Sequence, residues 1–349
     1  MTLPAPSISA APTLPDLALE AEAFYALQRP WPLVARPLAA LAERLGRREA
    51  ELVALVAKWR AAGLVRRVGA VFDARRLGYR SCLFALRAQG EALAEAAGRI
   101  CAQSGVTHAY LRGWPEGVQL GGVSARDYAA FPNLWYTLSA PAERFAQAAE
   151  TLADLAPTAF PALVRYKIDV VFDPGTRERD ERTEYRAQPL QPAQPLTEVR
   201  RPSPEAVAIV RRYQDDTTEL AAPFREADLP QLRAWQADGT LRRFALLPRH
   251  RAGGFTANGM CCWPVQGETE TLGRRLAADA DVTHCYARPA AADFPFMLYA
   301  MVHKTSWEAG FESYLRLSRH LGLAPEVGRV FFSTHEYKKS SIRFFTEEV

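Results

Sequence analysis

The chain has 349 residues, of which 48% are hydrophobic and 23% are charged, and its formal net charge is +4. This composition is typical of a globular protein of about two domains, and it excludes a disordered chain and, with no apolar run near 18–20 residues, a membrane helix. The small positive charge permits anionic ligands without requiring nucleic acid.

The N-terminal part of the chain predicts a helical module. After a disordered tail at 1–15, apolar spacing and the positions of proline and glycine predict helices over 16–28, 37–45 and 47–62. Short helices joined by tight turns are typical of a helix-turn-helix unit, which we place at 16–68. The tail lacks a basic region followed by an apolar region, so we do not expect it to be a secretory signal, and the five cysteines show no CxxC spacing. These features predict a cytoplasmic protein with reduced thiols.

The following residues, 69–173, predict alternating strands and helices. The predicted strands cover 81–86, 106–111, 134–138 and 163–172, and the predicted helices cover 91–103 and 140–155. The order β-α-β-β-α-β is that of a ferredoxin-like domain. A charged and then proline- and glutamine-rich stretch at 174–203 predicts a linker.

The second half of the chain repeats the first. The sequence VTHAY at 106–110 matches VTHCY at 282–286, and the same offset of 176 maps Trp59 onto Trp235. We therefore predict a second, shortened helix-turn-helix unit at 204–244 and a second ferredoxin-like domain at 245–349, which makes the fold class α+β. Two tandem copies predict an intramolecular pseudo-dimer, and a homodimer of the whole chain is left open.

The register of the repeat changes at its flanks. Trp135-Tyr136 matches Leu298-Tyr299 at an offset of 163, so the first copy is predicted to carry thirteen extra residues before this point. The N-terminal helical part of the second copy is ten residues shorter than that of the first, which predicts that one of its three helices is shortened or lost.

A helix-turn-helix unit followed by a β-α-β-β-α-β domain resembles the Lrp/AsnC regulators. Local sequences resemble the sirohaem decarboxylases more specifically: RRVGAV at 66–71, LGYR at 77–80, VTHCY at 282–286, FPFMLY at 294–299, and FST with YKK within 332–339. Two such subunits in one chain resemble the fused form that serves haem d1 biosynthesis. The resemblance implies a carboxy-lyase that converts sirohaem to 12,18-didecarboxysirohaem. Its partners would be sirohaem and the decarboxylated products, with no cofactor beyond the substrate's own iron.

An iron-bearing macrocycle with many carboxylates requires an apolar slot, a rim of cations and a proton donor for the carbon that loses CO₂. His250 lies in an Arg-His-Arg run where the first copy has Asp73 and Ala74. With the resemblance, this run predicts His250 as an acid and Arg249 and Arg251 as carboxylate contacts. The alternative is a solvated loop.

Strand alternation places His284, Tyr286 and Arg288 on one face, as it does the corresponding residues of the first copy, His108, Tyr110 and Arg112. We predict that the second-copy face lines the pocket, with His284 catalytic and Tyr286 and Arg288 binding substrate, and that the first copy is mainly structural. A structural histidine is the alternative. Tyr299 and His303 share one face of a neighbouring predicted strand and are predicted to bind substrate, with core packing as the alternative. The resemblance implies further carboxylate contacts by Lys338 and Arg343, with a solvated tail as the alternative. No metal-ligand spacing such as CxxC or HxxxH occurs, so no metal site is predicted.

The competing function is that of a DNA-binding Lrp/AsnC-type regulator that senses a small molecule or a tetrapyrrole. Cations of the third helix could contact phosphates: Arg47, Arg48, Lys58 and Arg60. The same helix carries glutamates, the net charge is small, and a shortened second unit would spoil the two-fold pair that palindromic DNA requires. We therefore expect neither DNA nor a membrane as a partner.

Overall fold

The computed structural model describes residues 17–172, 202–249, 251–265 and 267–346. The predicted tail at 1–15, nearly all of the predicted linker at 174–203, and His250 lie outside these residues. The described chain divides into two compact units. The first contains 17–73, 171–172, 203–249 and 251–255, and the second contains 74–170, 202, 256–265 and 267–346.

Each copy contributes helices and strands in the predicted order, which confirms the α+β class. The first copy forms α1 (Leu17–Gln28), α2 (Pro37–Arg44), α3 (Glu49–Ala61), β1 (Val65–Phe72), β2 (Tyr79–Leu86), α4 (Gly90–Ala102), β3 (Val106–Gly113), β4 (Leu134–Pro141), α5 (Phe145–Glu150), β5 (Thr158–Phe160) and β6 (Val164–Ile168). The second copy forms α6 (Pro204–Tyr213), α7 (Leu229–Asp238), β7 (Leu241–Pro248), β8 (Ala257–Trp263), α8 (Thr269–Ala278), β9 (Val282–Ala287), β10 (Leu298–Lys304), α9 (Trp307–Leu321) and β11 (Arg329–Lys339). Among the described residues, no helix is long and apolar enough to cross a membrane.

The first unit contains the antiparallel pair β1 and β7 together with the N-terminal helices of both copies: α1, α2, α3, α6 and α7. Trp59 of α3 is 1% exposed, lies edge-on to Phe24 of α1 with ring centroids 5.0 Å apart, and donates a hydrogen bond to Glu20. In the second copy, a single 3-10 turn at Glu226–Asp228 stands where the repeat places α2. This shortening agrees with the predicted loss of one helix.

The second unit is built on a shared sheet. Its described strands form one nine-stranded sheet in the order β5-β2-β4-β3-β11-β8-β10-β9-β6. The strand β11 pairs with β8 of its own copy and with β3 of the other copy. Reciprocally, β5 pairs with β2 of its own copy and β6 pairs with β9 of the other. Because β5 and β6 are neighbours in sequence and stand at the two ends of the order, the sheet curls back on itself around an interior.

The two faces of this sheet differ in what covers them. In the first copy, one face of the sheet packs on α4 and α5, with residues such as Ile100 of α4, Ala109 of β3 and Tyr136 of β4 in the contact. The other face carries an aromatic cluster in which the Phe294 ring lies 4.9 Å from that of Trp135 and 5.0 Å from that of Phe331. Burial of these rings stabilises the unit.

Two details of the sequence prediction were wrong. The predicted helix at 140–155 is shorter and interrupted, because β4 continues to Pro141, α5 covers Phe145–Glu150, and only a 3-10 turn follows at Ala153–Leu155. The strand pairing also sets a different register for the repeat. Tyr110 pairs with Trp135, and Tyr286 pairs with Tyr299. Tyr299 therefore corresponds to Trp135 at an offset of 164, and the first copy has twelve extra residues rather than thirteen.

Candidate active site

The strand β9 presents a histidine, a tyrosine and an arginine on one face. The rings of His284 and Tyr286 are stacked at 6.4 Å with an interplanar angle of 22°. The guanidinium carbon of Arg288 lies 4.8 Å from the ring centroid of Tyr286 and 5.6 Å from that of Tyr299. Tyr286 and Tyr299 are cross-strand partners, so their side chains share a face. The structure thus brings together four of the predicted site residues.

A β-bulge beside His284 brings His303 into the same cluster. Val282 pairs with Val302 and His284 pairs with Met301, so β9 has one extra residue, Thr283, at this point. The Thr283 hydroxyl lies 3.1 Å from Nδ1 of His284 and 3.2 Å from Nδ1 of His303. It also donates to the carbonyl oxygen of Met301 at 3.1 Å.

In this cluster, Arg288 and Tyr299 each have a buried polar group without a hydrogen-bond partner. Arg288 donates through Nη1 to the carbonyl oxygen of Phe160, while its Nε is buried without a hydrogen-bond partner. Burial lowers the pKa of Arg288 and raises the pKa of Tyr299, whose hydroxyl also lacks a partner. Buried polar groups without partners are costly, and these groups can bind an anion through charge-assisted hydrogen bonds.

The first copy repeats most of this geometry. His108 and Tyr110 have ring centroids 6.1 Å apart, and the Arg112 guanidinium lies 5.0 Å from the Tyr110 ring. A bulge at Thr107 places its hydroxyl 2.9 Å from Nδ1 of His108. Arg112 is 8% exposed, and burial lowers its pKa to about 10. A mainly structural role for this copy stays a prediction.

The exchanged strands make the two faces electrostatically different. Arg165 of β6 pairs with Tyr286, whereas Glu336 of β11 pairs with Tyr110. Opposite the tyrosine, the second-copy face therefore has a cation where the first-copy face has a carboxylate. Opposite the histidine, the second copy has Ile168 and the first copy has Lys339, so the exchanged strand adds one net positive charge to the second-copy face and none to the first. A substrate with many carboxylates favours the second-copy face on this ground.

Arg249 and Arg251 lie in the first unit, and both are exposed after the end of β7. At the position of Arg249 the first copy has Asp73, which is 3% exposed and forms an ion pair with Arg242 at 2.8 Å. The two copies therefore differ here as the sequence indicates. His250 lies outside the described residues, and the roles of these three residues stay predictions.

The structure places Lys338 away from the His284 face. Its amino group donates to the carbonyl oxygens of Cys101 and Gln103, at 2.8 Å each, at the C-terminal end of α4. A cation at this position binds carbonyl oxygens at the end of the helix and complements the helix dipole, and Lys167 makes the corresponding contact at the end of α8. Arg343 is exposed after β11. Substrate contacts by Lys338 and Arg343 stay predictions.

Within the described ranges, no group of three or more histidine, cysteine, aspartate or glutamate side chains has the geometry of a metal site. The thiol of Cys285 faces α8, where it lies 3.6 Å from the carbonyl oxygen of Gly273. This is the side of β9 opposite to His284, as strand alternation predicts.

Three of the cations on and beside α3 form ion pairs within the first unit. Lys58 pairs with Glu20 at 2.9 Å, and Arg60 pairs with Asp216 at 2.7 Å. Arg48 pairs with Glu51 at 2.7 Å. Partners of this kind reduce the attraction of the helix for phosphates and favour a packing role over DNA contact.

Comparison with known proteins finds one family match in the N-terminal helical part of the chain and one in its C-terminal domain. Residues 25–66 match the NirDL-like helix-turn-helix domain of sirohaem decarboxylases, and residues 252–338 match the AsnC-like ligand-binding domain. A sirohaem decarboxylase of Hydrogenobacter thermophilus is 30% identical over 92% of this chain and 93% of its own length. The chain belongs to the sirohaem decarboxylase family. As a member of this family it is an enzyme, a carboxy-lyase.

Other sirohaem decarboxylases show the same relationship. The NirDL subunit of Paracoccus pantotrophus is 32% identical over 89% of this chain and 93% of its own length. The crystal structure of the sirohaem decarboxylase NirDL in complex with an iron-uroporphyrin III analogue has 27% sequence identity and a TM-score of 0.61, covering 92% of this chain and 93% of that one. The NirH subunit of P. pantotrophus matches over 33% of this chain at 36% identity, so relatives of one copy also occur as separate subunits.

Two residues of the candidate site in this sirohaem decarboxylase were missed by the sequence analysis. Thr283 was visible as part of the repeated VTH sequence, and the repetition of its threonine was the available signal. Arg165 had no signal in the sequence, because its place opposite Tyr286 depends on the exchange of β6 between the copies.

Proposed function

We propose that this enzyme removes CO₂ from the acetate side chains of sirohaem to give 12,18-didecarboxysirohaem for haem d1 biosynthesis. The observation that carries the proposal is the second-copy face, where Arg288 lies over two tyrosine rings next to the paired histidines His284 and His303. The full-length relatives that are named sirohaem decarboxylases support the same reaction.

In each decarboxylation the bond between the side-chain methylene and the carboxylate carbon breaks. CO₂ leaves, the electron pair of the bond remains on the methylene carbon, and a proton converts this carbon to a methyl group. An imidazole is suited to supply that proton because it titrates near neutral pH. His284 is the donor in this proposal, and His303 adjoins it through Thr283.

Arg288 serves a carboxylate that is retained in the product. An arginine that bound the departing carboxylate would stabilise the ground state, where the charge is concentrated, more than the transition state, where it spreads into the ring. Contact with a retained carboxylate positions the macrocycle without this penalty. The flat rings of Tyr286 and Tyr299 provide the apolar surface next to it.

The family resemblance also supports roles for residues outside this face. It assigns His250 to acid chemistry and Arg249 and Arg251 to substrate carboxylates, with Arg343 as a further contact. Lys338 has no substrate role in this proposal, because its amino group is bound to the carbonyl oxygens of Cys101 and Gln103. Within this proposal the enzyme works in the cytoplasm, and the iron of sirohaem enters with the substrate without a separate cofactor.

The test is anaerobic incubation of the full chain with sirohaem, followed by mass spectrometry of the tetrapyrrole. Two successive losses of CO₂ are expected. The His284→Ala variant is the matched control for spontaneous decarboxylation. An unchanged substrate mass, together with salt-sensitive binding of the chain to DNA upstream of its own gene, would instead support the regulator.

A further inference from the structure

The Thr283 hydroxyl occupies a junction between the two histidines of the second-copy face. Thr283 is 8% exposed, and its Oγ1 has three polar neighbours within 3.2 Å. These neighbours are Nδ1 of His284, Nδ1 of His303 and the carbonyl oxygen of Met301. The bulge at Thr283 makes the junction possible, because the extra residue turns this side chain toward the histidines.

The inventory of donors and acceptors fixes the direction of each hydrogen bond. A threonine hydroxyl has one proton to donate and two lone pairs that can accept. The Thr283 hydroxyl donates its one proton to the Met301 carbonyl oxygen, which can only accept. Both imidazoles must then donate to Thr283, which requires a proton on Nδ1 of His284 and on Nδ1 of His303.

We propose that Thr283 is a positioning residue that holds both histidines in the Nδ1–H tautomer and leaves proton exchange to Nε2 of each ring. The proposal rests on the decarboxylation proposed above, and it specifies which ring nitrogen supplies the proton. A neutral ring and a protonated ring both keep the Nδ1–H bond to Thr283. Delivery of a proton from Nε2 therefore requires no rotation of the ring and no change at Thr283.

The first copy provides a natural comparison. Thr107 contacts Nδ1 of His108 at 2.9 Å, but the residue that corresponds to His303 is Ser139. The Ser139 hydroxyl lies 2.7 Å from that of Ser81. Thr107 thus serves one histidine where Thr283 serves two, so substitution of Thr107 is the matched control.

Two measurements test the proposal in the full-length chain. The first is ¹⁵N NMR of the histidine side chains in selectively labelled protein without substrate, with signals assigned through His284→Gln and His303→Gln. We expect both rings to carry the proton on Nδ1 in the parent chain and to lose this uniform state in Thr283→Val. The second is the anaerobic decarboxylation rate of Thr283→Val, Thr283→Ser and Thr107→Val.

We expect Thr283→Val to lower kcat by about tenfold to a hundredfold with little change in KM, as for other groups that fix a histidine tautomer. Thr283→Ser keeps the hydroxyl and should recover most of the loss, whereas Thr107→Val should cost much less. A neutral ring with its proton on Nε2 rather than on Nδ1 in the parent chain would overturn the proposal, as would equal kcat losses in the valine and serine variants. If the parent chain does not decarboxylate sirohaem, the proposed function fails, while the NMR result still decides the role of Thr283.

Discussion

Substitution of Arg288 by methionine should weaken substrate binding without weakening the fold. The side chain donates to the Phe160 carbonyl oxygen and lies over the rings of Tyr286 and Tyr299 at 4.8 and 5.6 Å. The hydrogen bond contributes about 1.5–3 kcal/mol, and each ring contact contributes about 0.5–2 kcal/mol. Against these gains stands the cost of a buried charge whose Nε has no partner and whose pKa is lowered by burial. That cost is several kcal/mol.

Methionine removes both the favourable contacts of Arg288 and the cost of its buried charge. Its side chain fills most of the volume that the arginine side chain occupied. We therefore expect the free energy of unfolding to change by no more than about 1–2 kcal/mol. The bond from Arg288 to a substrate carboxylate has no replacement in the variant. Its loss, about 1.5–3 kcal/mol, corresponds to a roughly tenfold to hundredfold weaker affinity for sirohaem.

The assay combines urea unfolding with anaerobic absorbance titration by sirohaem. Arg112→Met is the matched control, since Arg112 lies 5.0 Å from the Tyr110 ring in the same arrangement on the first copy. That variant should keep its affinity. The reasoning fails if Arg288→Met loses several kcal/mol of stability and binds sirohaem as the parent does, or if both variants lose the same affinity.

Three further outcomes are expected. His284→Ala should lower the decarboxylation rate more than His108→Ala, measured by mass spectrometry; a reversed order would place the reaction on the first-copy face. Burial raises the pKa of the Asp279 carboxyl group, but the two-pronged ion pair with Arg316 and the hydrogen bond from the Asp281 backbone N–H outweigh this effect and lower the pKa. The contribution of Asp279 to the free energy of unfolding is therefore present above about pH 4 and lost as the pH falls below that. In Asp279→Asn, the free energy of unfolding measured with urea should therefore fall less steeply at acidic pH than in the parent. Lys338→Met should lower the free energy of unfolding by about 0.5–1.5 kcal/mol per lost hydrogen bond, and a weaker affinity for sirohaem at unchanged stability would instead support the predicted substrate contact.

The sequence predicted local features well and long-range pairing poorly. Alternation along β9 predicted the shared face of His284, Tyr286 and Arg288, because successive side chains of a strand point to opposite sides whatever the strand pairs with. The bulge at Thr283 was not predicted, since it is defined only by the register with β10. The length of α5 was overestimated because pairing with β2 extends β4 to Pro141.

The exchange of β6 and β11 between the copies has a consequence for how a duplicated gene can diverge. The residue opposite Tyr286 of the second copy is Arg165, which is encoded in the first copy, and the residue opposite Tyr110 of the first copy is Glu336, which is encoded in the second. Neither half can therefore specialise alone. At these positions, a mutation in one half of the gene changes the charge on the surface of the other half, and selection acts on that change.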